Sequence, residues 1–269
     1  MDQLHFISGL PRSGSTLLAS LLCQREDMFA SIQSPLAAVY MALHGAMGVS
    51  NESMDLIGDE QRDAVLRGVF DNFYQTYMGV VFDNSRAWSS RIHELFRLLP
   101  KAKMICMVRP VNEILDSFER VYRVNPMKSS TIFPPGTNTT QRINAAMAPG
   151  GVVQASYANT KDAFYSPYRD RLLFVRYDTL VNEPMKTIGA ITKFATGKEW
   201  TAIDPQMILP VSLTAEFDRR LGVDGLHELR PSIRGRAPEI LIPPEQWNAH
   251  ANSEFWGTPD LNTCGMTVL

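Results

Sequence analysis

The chain has 269 residues, 45% of them apolar, and a formal net charge of −2. This near-neutral balance supplies no overall field for a nucleic acid or an anionic membrane, so an anion site must be a local pocket. No apolar run approaches the ~20 residues of a bilayer span, and the length suits one large α/β domain with a full core. The first residues already read as a strand rather than a charged and apolar leader, so no signal peptide is expected. Cys23, Cys106 and Cys264 are widely spaced and odd in number. They read as buried or free thiols in a cytoplasmic protein, not as metal ligands.

Residues 4–8 form the first predicted strand and 14–24 the first helix, joined by Gly9-Leu-Pro-Arg-Ser-Gly-Ser-Thr16. The turn fits the phosphate-loop pattern G-x-x-x-x-G-K-[ST] at every fixed position except the lysine, where Ser15 stands. Gly9 and Gly14 allow the backbone N–H groups to converge, and the helix start adds its positive end. Arg12 supplies a forked cation, and Ser13, Ser15 and Thr16 supply hydroxyls. The turn therefore reads as a cradle for a tetrahedral anion. Without the lysine, triphosphate chemistry lacks its central cation.

Helices are predicted at 35–47 and 60–78, a strand at 79–83 and a helix at 88–98. The next strand, 103–108, runs directly into Arg109-Pro110 and a helix over 110–123. Arg109 at a strand end and Ser117 beyond it can converge on a second anion. Residues 125–150, punctuated by proline and glycine, read as a long loop with one short helix. A helix over 151–165, a strand over 172–176 and a helix over 182–196 follow, and the chain is irregular from 224 onward. The alternation predicts a P-loop-type three-layer α/β/α fold with a central parallel sheet, a single domain over 1–269. Ligands of such sheets bind beyond the carboxyl ends of the strands.

The residues at these positions resemble the sulfotransferases that use 3′-phosphoadenosine 5′-phosphosulfate (PAPS). Pro11-Arg-Ser-Gly-Ser-Thr-Leu-Leu18 is similar to their 5′-phosphosulfate loop. Val108-Arg109-Pro110 with Ser117 is similar to their 3′-phosphate element. Arg176-Tyr177-Asp-Thr-Leu180 with Glu183-Pro184 resembles a segment that sets Tyr177 near the nucleotide. Leu226-His-Glu-Leu-Arg-Pro-Ser-Ile-Arg-Gly-Arg236 resembles the segment that closes over it, with Arg234 and Gly235 as phosphate contacts. The form of the loop is closest to the tyrosylprotein and bacterial branch. The resemblance implies sulfuryl transfer from PAPS to an acceptor hydroxyl of a carbohydrate, peptide or small metabolite. It implies no metal, releases adenosine 3′,5′-bisphosphate (PAP), and leaves the oligomeric state open. Residues 35–60 and 125–150 would border the acceptor.

Two positions depart from that pattern. Gln33 stands where the tyrosylprotein branch has a glutamate, and it can orient an acceptor but not take its proton. Asn84 stands where many relatives carry a lysine, and Arg86 reads either as the substitute cation or as a surface partner of Asp83. Asp83, Asp55, His44 and His93 remain as candidate bases. Two other readings stay open on this sequence: a P-loop nucleotide kinase, with Asp83 as its acidic strand-end residue, and a non-catalytic nucleotide-binding protein.

Overall fold

A computed structural model describes the chain except residues 1–2, 49–51, 128–129, 131, 134, 201, 209–213, 230–232 and 234–239. Five strands, β1 (Leu4–Gly9), β2 (Met28–Ala30), β3 (Val80–Asn84), β4 (Met104–Val108) and β5 (Leu172–Arg176), form one sheet in the order β2-β3-β1-β4-β5. Every pairing is parallel. Parallel strands need crossovers, which the helices between successive strands supply, and further helices follow β5. In chain order the helices are α1 (Ser15–Leu22), α2 (Leu36–Ala46), α3 (Asp59–Phe73), α4 (Ile92–Leu98), α5 (Val111–Val124), α6 (Thr139–Met147), α7 (Val152–Phe164), α8 (Tyr177–Asn182), α9 (Pro184–Thr196), α10 (Thr214–Leu221) and α11 (Pro244–Ala249).

Strand residues alternate between two cores, as the two-residue period requires. Leu4, Phe6, Val81, Met104, Cys106, Leu172 and Phe174 pack with α2, α3, α4, α5 and α7. Ile7, Val80, Phe82, Ile105, Met107, Leu173 and Val175 pack with α1, α8 and α9. The result is the predicted three-layer architecture, with layers on both sheet faces.

The structure adds detail that the sequence pattern lacked. β2 was not expected. It pairs with β3 over three positions, Met28 to Val80, Phe29 to Val81 and Ala30 to Phe82. The stretch 125–150 does contain one short helix, α6, capped reciprocally by Asn138 and Gln141. Far along the irregular tail, Val268 bridges Phe174, and the Arg176 N–H donates to the Leu269 carbonyl at 3.0 Å. The chain thereby covers the open edge of β5. Among the described residues, no helix is long and apolar enough to cross a membrane.

The register sets the carboxyl ends of four strands side by side. Ile7 lies opposite Asn84, Gly9 opposite Met107 and Val108 opposite Arg176. The turns after β1, β3, β4 and β5 therefore open on one rim, where the strand order reverses around β1.

Candidate active site

The turn after β1 is built around two glycines. Gly9 has φ of 110°, and a Cβ there would sit 2.2 Å from the Met107 carbonyl oxygen on β4. Gly14 has φ of 93° and serves as the N-cap of α1 with no side-chain cap. The first α-helical bond of α1 runs from Leu18 N–H to the Gly14 carbonyl at 2.9 Å. The N–H groups of Ser15, Thr16 and Leu17 therefore have no partner within the helix and remain available to an anion. Arg12 also has positive φ, 56°, uncommon outside glycine, which fits a concave nest of backbone N–H groups. Ser13 turns inward instead. It is fully buried and its hydroxyl donates to the Leu10 carbonyl, so it braces the turn and does not line the cavity.

That turn forms one wall of a cavity of about 390 Å³, within the size range of small-molecule sites. Pro11, Arg12, Gly14, Ser15 and Thr16 line it from β1 and α1, and Gln33, Asn84 and Arg86 from the β2 and β3 side. Arg109, Ser117 and Arg120 enter from the end of β4 and from α5, and Tyr177 from the start of α8. The predicted loop, the strand-end arginine and the tyrosine thus meet in one place.

The two expected anion elements are fused. Arg12 Nε donates to Ser117 Oγ at 3.1 Å, and Arg12 Nη1 donates to the Leu226 carbonyl. Arg109 Nη1 donates to the Arg12 carbonyl at 3.2 Å, and its Nε to Glu113 Oε2 at 3.0 Å. Its guanidinium also lies over the Tyr177 ring, 4.4 Å from the centroid. Burial and the nearby positive charge of Arg109 push the Arg12 pKa down to about 10. Arg12 remains cationic at neutral pH, and two guanidinium groups face one cleft. Arg86 and Arg120 add to them, and among the described residues Glu228 is the only carboxylate that lines the cavity. A protein of net charge −2 has concentrated cations at this rim.

Several expected roles land elsewhere. Asp83 does not line the cavity. It is completely buried and accepts from Tyr74 Oη at 2.5 Å and Trp88 Nε1 at 2.6 Å, and burial raises its pKa. Asn84 braces the wall: its Nδ2 donates to the Ser31 and Ile32 carbonyls, each at 3.0 Å, and fixes the segment that presents Gln33. Arg86 faces the cleft with its own carbonyl held by Ser8 Oγ at 3.2 Å, and the crowded walls lower its pKa by desolvation. His44 and His93 are exposed and line no part of the cavity. Arg234, Gly235 and the side chain of Asp55 lie outside the described residues.

The sequence reading passed over one acid–base pair, of which the histidine lines the cavity. His227 borders the cavity, and its ring Nδ1 lies 2.5 Å from Oδ1 of buried Asp218 on α10. His227 sat in the segment resembling the nucleotide-closing element. Only the fold brings the aspartate, nine positions earlier, against it.

The model of the sulfotransferase family matches residues 5–202. The chain belongs to the sulfotransferase family. No curated protein matches it. The solved sulfotransferase domain from the Synechococcus PCC 7002 olefin synthase is similar at 19% identity, with a TM-score of 0.54 and 95% of each chain covered. That likeness shows the shared fold. Mouse sulfotransferase SULT7A1, solved in complex with PAP, is similar at 13% identity and a TM-score of 0.48, covering 98% of this chain and 88% of that one. In this sulfotransferase the family match spans β1 to β5, and so includes every strand end that opens on the cavity.

Proposed function

We propose that this sulfotransferase takes PAPS as its donor and moves the sulfuryl group in line to an acceptor hydroxyl. One observation carries the reading: Arg12 and Arg109, from the ends of β1 and β4, share one cleft with the N-terminus of α1. Such a pair is stabilised by a ligand bearing more than one anionic group, as PAPS does. Gly14 lets the Tyr177 ring pack against the loop, where an added Cβ would lie 2.9 Å from Tyr177 Cδ2, and that ring offers a flat apolar surface beside the cradle. The residues present therefore fit the nucleotide.

By analogy with phosphoryl transfer, the transition state is loose and negative charge grows on the leaving and equatorial oxygens. The protein's task is positioning and electrostatic stabilisation. Arg12, Arg86 and the N–H groups of Ser15 and Thr16 supply fixed positive ends without reorganisation. Gln33, exposed on the cavity wall, can donate to and orient an acceptor. Phe217, Leu221, Leu229 and Ile233 make the wall beside His227 apolar. That wall favours an acceptor that carries its hydroxyl on an apolar body, among the carbohydrate, peptide and small-metabolite options.

The kinase reading needs a lysine at the place of Ser15 and a strand-end acid free for magnesium. Asp83 is instead committed to Tyr74 and Trp88. Calorimetry with PAP and with ATP–magnesium tests the assignment. PAP is expected to bind, and Arg12→Ala and Arg109→Ala are each expected to weaken it by about 1.5–3 kcal/mol. Equal PAP affinity in both variants and wild type contradicts the reading.

A further inference from the structure

We propose that His227 is the general base that deprotonates the acceptor, with Asp218 as its positioning residue. The inference rests on the sulfuryl-transfer reading and adds the proton acceptor that Gln33 cannot be.

The geometry is that of an oriented imidazole. Asp218 is 2% exposed, and both of its oxygens serve His227. Oδ2 accepts from the His227 backbone N–H at 2.8 Å, and Oδ1 faces ring Nδ1 at 2.5 Å. A carboxylate can only accept, so Nδ1 carries the proton and Nε2 keeps its lone pair. Nε2 makes no hydrogen bond to a described residue. The return of the chain after α10, fixed by Val223 N–H on the Asp218 carbonyl at 3.0 Å, brings the pair together. The Phe217 ring, 5.5 Å away between centroids, supports the imidazole. The preceding residue, Leu226, gives its carbonyl to Arg12, so the histidine is tied to the anion loop itself.

The charged groups acting on the ring are Asp218 from its own segment, Arg12 from the loop after β1 and Arg86 from the turn after β3. Glu228 follows it on the cavity wall. Burial lowers the His227 pKa, both arginines lower it further, and Asp218 opposes them. The ring is therefore neutral at pH 7 and able to accept a proton. In the transfer step the acceptor O–H proton passes to Nε2 as the acceptor oxygen forms its bond to sulfur. The S–O bond to the 5′-phosphate breaks, and its electron pair stays on the phosphate oxygen of PAP. The imidazolium is held by Asp218 until it returns the proton to water.

A histidine that merely closes the turn after α10 would give the same static contacts, so the test separates the two roles. His227→Asn keeps a donor for Asp218 but has no basic nitrogen. It is expected to keep wild-type thermal stability and PAP affinity. Its single-turnover transfer from PAPS to water, simple alcohols and phenols is expected to fall by about 100-fold or more. The wild-type rate should decline as pH drops through the His227 pKa, and that limb should vanish in the variant. Histidine NMR gives a readout that needs no turnover: Asp218→Asn should lower the His227 pKa further, because the imidazolium loses its counter-charge. A variant that binds PAP normally and transfers within about threefold of wild type overturns the base assignment but leaves the nucleotide site standing. Wild-type protein that binds no PAP overturns both.

Discussion

Gly14 combines a left-handed backbone with a tight contact on the cavity wall. An alanine there would have to hold φ near 93° and place its Cβ 2.9 Å from Tyr177 Cδ2. The ring cannot simply swing away, because Arg109 lies against it. Gly14→Ala is expected to cost about 1–3 kcal/mol of stability from strain and also to weaken PAP binding by displacing the Tyr177–Arg109 stack. Gly45 on α2 is the control: nothing lies within 4 Å of its added Cβ, and its φ is ordinary. Gly45→Ala should stabilise by about 0.5–1 kcal/mol. Urea unfolding of both variants with calorimetric titration of PAP checks the contrast. The glycines, Arg12 and Arg109 were legible because a strand–turn–helix is a local pattern. Asp83 was misjudged for a physical reason. Both faces of a parallel strand are buried, so the sequence does not say which side faces a ligand. Asp83 shares the parity of Val81 and lies among Tyr74 and Trp88.

Helix α6 depends on one buried ion pair. Arg142, 8% exposed, sends Nη2 to Glu119 Oε2 at 2.8 Å and Nε to the same oxygen at 3.1 Å, while its guanidinium lies over the Tyr122 ring. Glu119 on α5 is 4% exposed and also receives Arg123 and Thr139. Removing Arg142 leaves the buried Glu119 with only the half-exposed Arg123 and the Thr139 hydroxyl, whereas replacing both partners can be nearly neutral. Arg142→Met is expected to cost about 3 kcal/mol, and adding Glu119→Leu should recover a large part of it. Denaturant midpoints of the single and double variants measure this, and a single variant within 0.5 kcal/mol of wild type would contradict it. PAP affinity should hold, since neither residue lines the cavity. The long helices were readable from their apolar spacing. β2 was not, because three residues carry too little period to stand out. Its place depends on the Val80 N–H reaching the Asp27 carbonyl at 2.9 Å, a contact between distant segments. The His227–Asp218 pair escaped the sequence reading because only the return of the chain after α10 brings the two side chains together.

The sheet joins these parts, and its central strand carries a titratable group that ties stability to pH. His5 lies on β1 and is 3% exposed. Its Nδ1 accepts the Lys103 backbone N–H at 3.3 Å, and its ring meets Phe82 at 5.6 Å between centroids. Burial, then the charge of Lys103, pushes its pKa down to about 4 from 6.5. The unfolded chain therefore binds a proton at higher pH than the folded one. The stability His5 contributes is complete above pH 6.5, declines as pH falls towards 4, and is fully lost below that. A shift of this size corresponds to about 3 kcal/mol. Other groups titrate in the same window: His227 and His250 are also lowered, and Asp83 is raised, which acts in the opposite sense. The useful quantity is therefore a difference between two proteins. His5→Asn keeps an acceptor for Lys103 and cannot titrate there. It should be less stable than wild type at pH 7, and the gap should close or reverse as pH approaches 4. Urea unfolding of both proteins across that range reads the gap directly, and parallel curves would show that His5 is protonated equally in the folded and unfolded chains.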